Sequence, residues 1–204
     1  MGEWVRLPHS PPKKGILMIN KTTSLRELIK VYKDIPNSIC SNIIKKSDNL
    51  PWYTHTWAGY STINDSLSPN TEFLRAPVNN LMKLELFPII NECISNYKID
   101  INLDIDTHGF SHPQLNKYDT GTKMLLHHDH IHSLFSGPIK GIPILSVVGL
   151  LNDDFEGGEF VFWNDDIIKL EAGDLLIFPS LFAYEHQVKT ITKGSRYSLV
   201  SWVY

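Results

Sequence analysis

The sequence predicts an α+β protein in which N-terminal helices buttress a C-terminal β-barrel or jelly roll. Three observations predict it. Apolar residues recur at helical spacing in the first hundred positions, while from residue 101 onward short β-prone runs alternate with Gly, Pro, Asn and Asp. A chain of 204 residues, 42% apolar and 20% charged, is also long enough to bury one core, and it shows no repeat or low-complexity tract. Residues 1–204 therefore read as a single domain, with 1–100 mostly helical support plus a loop and 101–204 the barrel.

The elements follow in order. Ser24 and Glu27 make a capping-box pattern ahead of Leu25, Leu28, Ile29 and Tyr32, which predicts a first helix. Ile39, Cys40, Ile43 and Ile44, after Pro36, predict a short second one. A third is expected from Val78 to Tyr97, kinked or split at Pro88. Between them, "NLPWYTHTWAGYSTINDSLSPNTE" combines turn formers and aromatics without a helical period, so it reads as a loop. The expected strands lie in "INLDIDTHGF", "PQLNKYDT", "KMLLHHDHI", "PILSVVGLLN", "GEFVFW", "DIIKLE", "GDLLIFP", "AYEHQVKTI" and "RYSLVSWVY".

Charge and composition exclude several classes. A net charge of −3 and four arginines supply no basic field for nucleic acid. The longest apolar run, "GIPILSVVGLL", is too short to span a bilayer, so no membrane partner is expected. Cys40 and Cys93 are the only cysteines, too few for a disulfide scaffold or a zinc ribbon. The opening "MGEWVRLPHSPPKKG" has no secretory h-region, and a soluble cytoplasmic protein is expected.

The chemistry concentrates in "LLHHDHIHSLF", residues 125–135. Side chains alternate faces along a strand, so His127 and Asp129 would share one face and His128, His130 and His132 the other. His127 with Asp129 is a mixed N/O donor pair; by itself it is equally an exposed polar strand end. A site with two histidines and one carboxylate needs a third ligand, and His186 is the only histidine downstream. Ten residues later comes Arg196, on a predicted strand whose parity puts Arg196, Ser198, Val200 and Trp202 on one face. An arginine and a serine among bulky apolar neighbours suit an anion, the guanidinium as a bidentate fork and the hydroxyl as one more donor.

These segments resemble the iron(II)- and 2-oxoglutarate-dependent oxygenases, most closely their prolyl 4-hydroxylase-like branch. The resemblance runs over about residues 115–204, from "YDTGTKMLLHHD" through "LLNDDFEGGEFVFW" to "AGDLLIFPSLFAYEHQVKTITKGSRYSLVSW". It implies a double-stranded β-helix, the cupin-like jelly roll. It further implies that His127, Asp129 and His186 hold Fe(2+), with Arg196 and Ser198 gripping the distal carboxylate of 2-oxoglutarate and Tyr118 bonding the cosubstrate near the metal. O2 is then the co-reactant, ascorbate an accessory reductant, and the outcome hydroxylation of a C–H bond with release of succinate and CO2. The carboxylate at Asp129 favours hydroxylation over halogenation, since halogenating relatives carry a small residue there. Two departures stand out: Leu150 occupies a position where the branch often has tyrosine, and Arg196 one where collagen-type enzymes have lysine.

The implied substrate is a protein or peptide side chain, proline among the options, or a small molecule. Alternatives are a nucleic-acid-modifying oxygenase, which the acidic balance disfavours, and a non-catalytic cupin-like metal-binding module, which would not need a dicarboxylate grip. His128, His130 and His132 are expected not to bind the metal but to line the mouth of the cleft or make structural hydrogen bonds, the alternative being contact with the metal-binding residues or with substrate. Trp57 and Tyr60 are expected in a lid or packed on the helices, and Trp163 at rim or core. His108 and His112 read as turn residues, Lys123 as a solvated neighbour of His127, and Asp153, Asp154 and Glu156 as a solvated turn.

Overall fold

The computed structural model describes residues 24–55, 73–102, 104–131 and 141–204. In chain order the first strands are β1 (Lys30–Lys33), β2 (Tyr53–Thr54), β3 (Leu74–Pro77), β4 (Gln114–Asp119), β5 (Met124–His127) and β6 (Leu145–Leu150). They are followed by β7 (Glu156–Gly157), β8 (Phe160–Phe162), β9 (Asp166–Ile168) and β10 (Asp174–Pro179), then β11 (His186–Val188), β12 (Ile191–Lys193) and β13 (Ser195–Val203). Two α-helices, α1 (Asn37–Ser47) and α2 (Asn80–Asp100), precede β4.

Seven strands pair in the order β1-β10-β6-β13-β4-β3-β2 to form a major sheet, and four in the order β5-β11-β8-β9 form a minor one. β12 pairs with β7 separately. Among the described residues neither sheet closes on itself. The expected jelly roll is therefore a sandwich of two open sheets, and the closed-barrel alternative is not realised.

Alternation along β13 divides the molecule into layers. Tyr197, Leu199 and Val203 point outward with Leu115, Val147, Leu175 and Ile177, and α1 and α2 cover them with Ile43, Met82, Leu86 and Ile90. Each such buried aliphatic side chain contributes about 1.5–3 kcal/mol relative to exposure. Both cysteines, Cys40 and Cys93, lie in this helix layer, buried and unbridged. Tyr118, Val148, Leu176 and Phe178 belong to a second cluster with Phe160, Phe162 and Val188 of the minor sheet. That inner, aromatic layer is where the predicted site residues lie.

The helices match expectation except for the first. Asn79 caps α2, its side chain accepting from the Met82 N–H at 3.0 Å. Pro88 is inside α2 but does not split it. It lies on the exposed face, so the Leu84 carbonyl it deprives of a donor is open to water. After Ser24, however, Leu25–Leu28 makes only a 3₁₀ turn, the Ser24 side chain caps nothing, and the chain extends as β1. Val31 then pairs with Leu176 and Tyr32 with Leu175. A ladder along the sheet edge outweighs the few tenths of a kcal/mol by which these residues prefer a helix.

Two further differences matter for the site. β1, β2 and β3 all come from the first hundred residues and extend both edges of the major sheet, strands that the sequence reading did not place there. Among its described residues, the run "INLDIDTHGF" forms no strand and contributes one bridge, Phe110 to Val203. No helix among the described residues is long and apolar enough to cross a membrane.

Candidate metal and cosubstrate centre

The minor sheet supplies the histidines. β11 lies between β5 and β8, which puts His127, His186 and Phe162 in one register row. The rings of His127 and His186 are 4.2 Å apart between centroids. Each Nδ1 lies near the carbonyl two residues upstream, His127 against Leu125 at 2.8 Å and His186 against Tyr184 at 3.0 Å. With the proton on Nδ1 donated there, the remaining ring nitrogen of each histidine is Nε2, the unprotonated one.

β5 ends at His127, so the strand assumed through His132 is shorter than expected. Asp129 stands in the turn that follows, closed by the Ile131 N–H donating to the Asp129 carbonyl at 2.8 Å. Its carboxylate nevertheless comes back to His127, with Oδ1 3.6 Å from Nε2. One donor atom each from His127, Asp129 and His186 lies within 4.8 Å of the others. The pairing that strand parity suggested is found, although a turn produces half of it.

The surroundings set the charges. His186 is stacked on Phe160, with Phe178 and Phe162 on other sides of the ring. Burial, reinforced by His127 and opposed by Asp129, pushes His186 down to about 4, so its ring is neutral near pH 7. Burial opposes ionisation of Asp129. The two histidines and hydrogen bonds from Ser146 and Trp202 outweigh it and hold the carboxyl below its ordinary value. Ser146 Oγ donates to Asp129 Oδ2 at 2.6 Å, Trp202 Nε1 donates to the same oxygen at 2.9 Å, and Ser180 Oγ is 2.7 Å from Ser146 Oγ.

The major sheet supplies the cation. Arg196 is only 1% exposed, and burial pulls its guanidinium below the ordinary value against the opposing effect of Tyr118. Its Nη1 donates to Ser198 Oγ at 2.8 Å, and its guanidinium lies over the Tyr118 ring at 5.4 Å. Among the described residues no carboxylate pairs with it. The Gly157–Gly158 turn makes room for it. Gly158 has φ +68°, and a Cβ there would stand 3.2 Å from Arg196 Cδ and run into Ile191 Cδ1.

A row of rings crosses the sheet from the site outward. Tyr118 stacks on Phe73 at 4.4 Å, and Phe73 on His55 at 4.6 Å. Burial, then Arg75 and His127, push His55 down to about 4. Sequence reading missed His55, Phe73, Ser146, Ser180 and Trp202 as parts of the site. A usable signal existed for two of them: Trp202 shares the parity of Arg196, and Ser146 interrupts an apolar strand.

The other expectations divide. His128 and His130 do not join the three-residue cluster, and their buried Nδ1 atoms have no hydrogen-bond partner. His130 lies edge-on to exposed Phe182 at 5.9 Å. Trp163 is half-buried beside Phe162 and Tyr184, its Nε1 donating to the Ala183 carbonyl. His108, His112, Asp153, Asp154 and Glu156 are exposed, and Lys123 is half-buried. His132, Trp57 and Tyr60 lie outside the described residues.

Two imidazoles and a carboxylate are the donor set of non-haem iron(II), and a buried cation without its anion fits a dicarboxylate cosubstrate. Residues 113–204 match the sequence profile of the 2OG-Fe(II) oxygenase superfamily. Over that C-terminal segment the chain is similar to that family. It is 42% identical over 64 residues to a PKHD-type hydroxylase of Psychrobacter sp. (strain PRwf-1), covering 29% of this chain and 24% of that protein. The chain thus spans well under half the length of the curated relatives it matches. Among solved structures, a prolyl hydroxylase of Trichoplax adhaerens in complex with a hypoxia inducible factor peptide fragment superposes with TM-score 0.63. It shares 14% identity over 87% of this chain and 84% of that one. A 2OG-Fe(II) oxygenase family oxidoreductase of Burkholderia pseudomallei gives TM-score 0.62 at 17% identity, over 88% of this chain and 86% of that one. These likenesses carry the fold, a double-stranded β-helix.

Proposed function

We propose that the protein is an Fe(2+)- and 2-oxoglutarate-dependent dioxygenase that hydroxylates a C–H bond of a protein or peptide side chain, with a small molecule as the second substrate class. One observation carries this reading. A carboxylate-free cation, Arg196, is buried in the same inner layer as a convergent two-histidine, one-carboxylate cluster. Each is unremarkable alone; together they match a metal-chelating dicarboxylate at both ends.

His127, Asp129 and His186 would hold Fe(2+), and the metal, when bound, supplies the O2-activating chemistry. Arg196 and Ser198 would bind the distal carboxylate of 2-oxoglutarate, which supplies the anion that the buried guanidinium lacks. Tyr118, kept protonated by burial, would present a hydroxyl donor to the cosubstrate. Leu150, register partner of Ser198, offers only apolar contact where a tyrosine hydroxyl was considered. Phe160, Phe162 and Phe178 keep water from His186. The overall reaction would convert 2-oxoglutarate, O2 and R–H into succinate, CO2 and R–OH.

A peptide substrate is supported by the peptide complex of the structurally similar Trichoplax enzyme. Two free thiols suit a reducing compartment such as the cytoplasm. The test is an anaerobic titration with Fe(2+) and 2-oxoglutarate, followed by O2 with ascorbate as reductant. A visible charge-transfer band and succinate formation are expected. Absence of the band, or a band unchanged in His127→Ala and Arg196→Ala, would refute the proposal.

A further inference from the structure

Resting on the metal assignment above, we infer that Ser146 and Trp202 are positioning residues that fix which oxygen of Asp129 faces the metal. Asp129 has no strand to hold it, since β5 ends two residues earlier. What holds its side chain comes from the opposite sheet. Ser146 on β6 and Trp202 on β13 are register partners, so their side chains leave the major sheet side by side on its inner face. Both end on one atom, Asp129 Oδ2, at 2.6 Å and 2.9 Å.

The proton count makes this arrangement directional. An indole N–H only donates, and the single Ser146 proton is already given to the carboxylate. In the 2.7 Å contact between Ser146 and Ser180, the donor is therefore Ser180. The result is a relay from Ser180 through Ser146 to Asp129, closed from the other side by Trp202. All four residues are buried or half-buried, and both bonds to Asp129 end on an ionised acceptor, the stronger class of hydrogen bond.

Oδ2 is thereby occupied, and Oδ1, on the His127 side, is left as the ligand. The clamp makes Asp129 a one-oxygen ligand. Rotation that brought both oxygens to the metal would break two charge-assisted bonds and would take a coordination position from the cosubstrate. The clamp also divides the seat between sheets: the histidines are held by the minor sheet, the carboxylate by the major one.

The experiment uses the whole chain and Co(2+) as a spectroscopic probe. Affinity is measured by calorimetry and ligand geometry by visible absorption, for wild type, Trp202→Phe, Ser146→Ala and Ser146→Thr. Outer-sphere partners of metal ligands typically change affinity 10–100-fold, and a loss of about that size is expected in Trp202→Phe and Ser146→Ala, with an altered Co(2+) spectrum. Ser146→Thr keeps the hydroxyl and should restore both the affinity and the spectrum. Folding of each variant is checked by circular dichroism, and Trp202→Phe carries the test if Ser146→Ala fails to fold. Folded variants with the wild-type affinity and spectrum would overturn the inference. A wild-type protein that binds no Co(2+) would instead remove the metal assignment on which it rests.

Discussion

His127 and His186 are register partners across the β5–β11 ladder, and each ring is tied through Nδ1 to the carbonyl two residues before it. The same local geometry at two register-paired residues, one carbonyl coming from β5 and the other from the segment before β11, leaves both Nε2 atoms for the cluster with Asp129. Removing either ring should therefore abolish metal binding rather than shift it. We expect His127→Ala to lower Co(2+) affinity more than about 100-fold, beyond the range for outer-sphere changes. Calorimetry on the variant, with circular dichroism to confirm the fold, checks this.

Arg196 should be a burden to the metal-free protein and an asset to the loaded one. Its charge is buried with a serine hydroxyl and a tyrosine face but, among the described residues, no carboxylate. Replacing a buried charge by an apolar side chain of similar size is often neutral or stabilising. Arg196→Met is thus expected to melt at or above the wild-type temperature. It should also lose about 2–5 kcal/mol of 2-oxoglutarate binding, roughly 30-fold or more in Kd. Thermal melts with and without 2-oxoglutarate separate the two effects, because only the wild type should gain stability from the ligand.

Gly158→Ala should cost stability and cosubstrate affinity together. A left-handed φ of +68° and the clash with Ile191 disfavour any side chain there, and the neighbouring Arg196 Cδ must shift as well. The expected destabilisation is about 1–3 kcal/mol, read from urea unfolding. The apparent KM for 2-oxoglutarate should rise in parallel. An unchanged KM would mean that the glycine turn does not set the position of the arginine.

Acidification should unfold the metal-free protein in a defined window. Burial holds His55 and His186 at about 4, below the ordinary 6.5 of an unfolded chain. The unfolded state therefore binds more protons between these values. Their contribution to stability is fully present above pH 6.5 and is lost as pH falls toward 4. Melting temperatures recorded from pH 8 to pH 4 should decline across that interval, and His55→Gln should flatten the decline. A flat wild-type profile would contradict the neutral, buried state of both rings.

The positions of the candidate site residues were legible because local rules place them. Alternation along β13 put Arg196, Ser198 and Trp202 on one face, and the ladder delivers that face to the inner layer. His186 was legible as the only histidine left downstream. What was not legible depends on distant partners. The segment after Ser24 has helical spacing, yet it pairs with β10, far away in sequence, Lys30 opposite Ile177. The Trp202 indole finds Asp129 only because β13 runs beside β6 and the two sheets face each other. Asp129 itself was singled out through a strand that stops short of it, so its closeness to His127 comes from a turn and not from the alternation that suggested it.

The two thiols have a consequence for a protein that would handle O2. Cys40 and Cys93 lie in the helix layer, with the major sheet between them and the metal cluster. Burial pushes both thiols up, Cys93 well above the ordinary thiol range with Asp34 adding to the effect. Thiolate is the form that attacks peroxides and disulfides, so neither residue offers the reactive species. A thiol reagent such as Ellman's should titrate neither cysteine in the native state and both after unfolding. The fold thus keeps its most oxidisable sulfur protonated and screened from the oxidant that its own centre would produce.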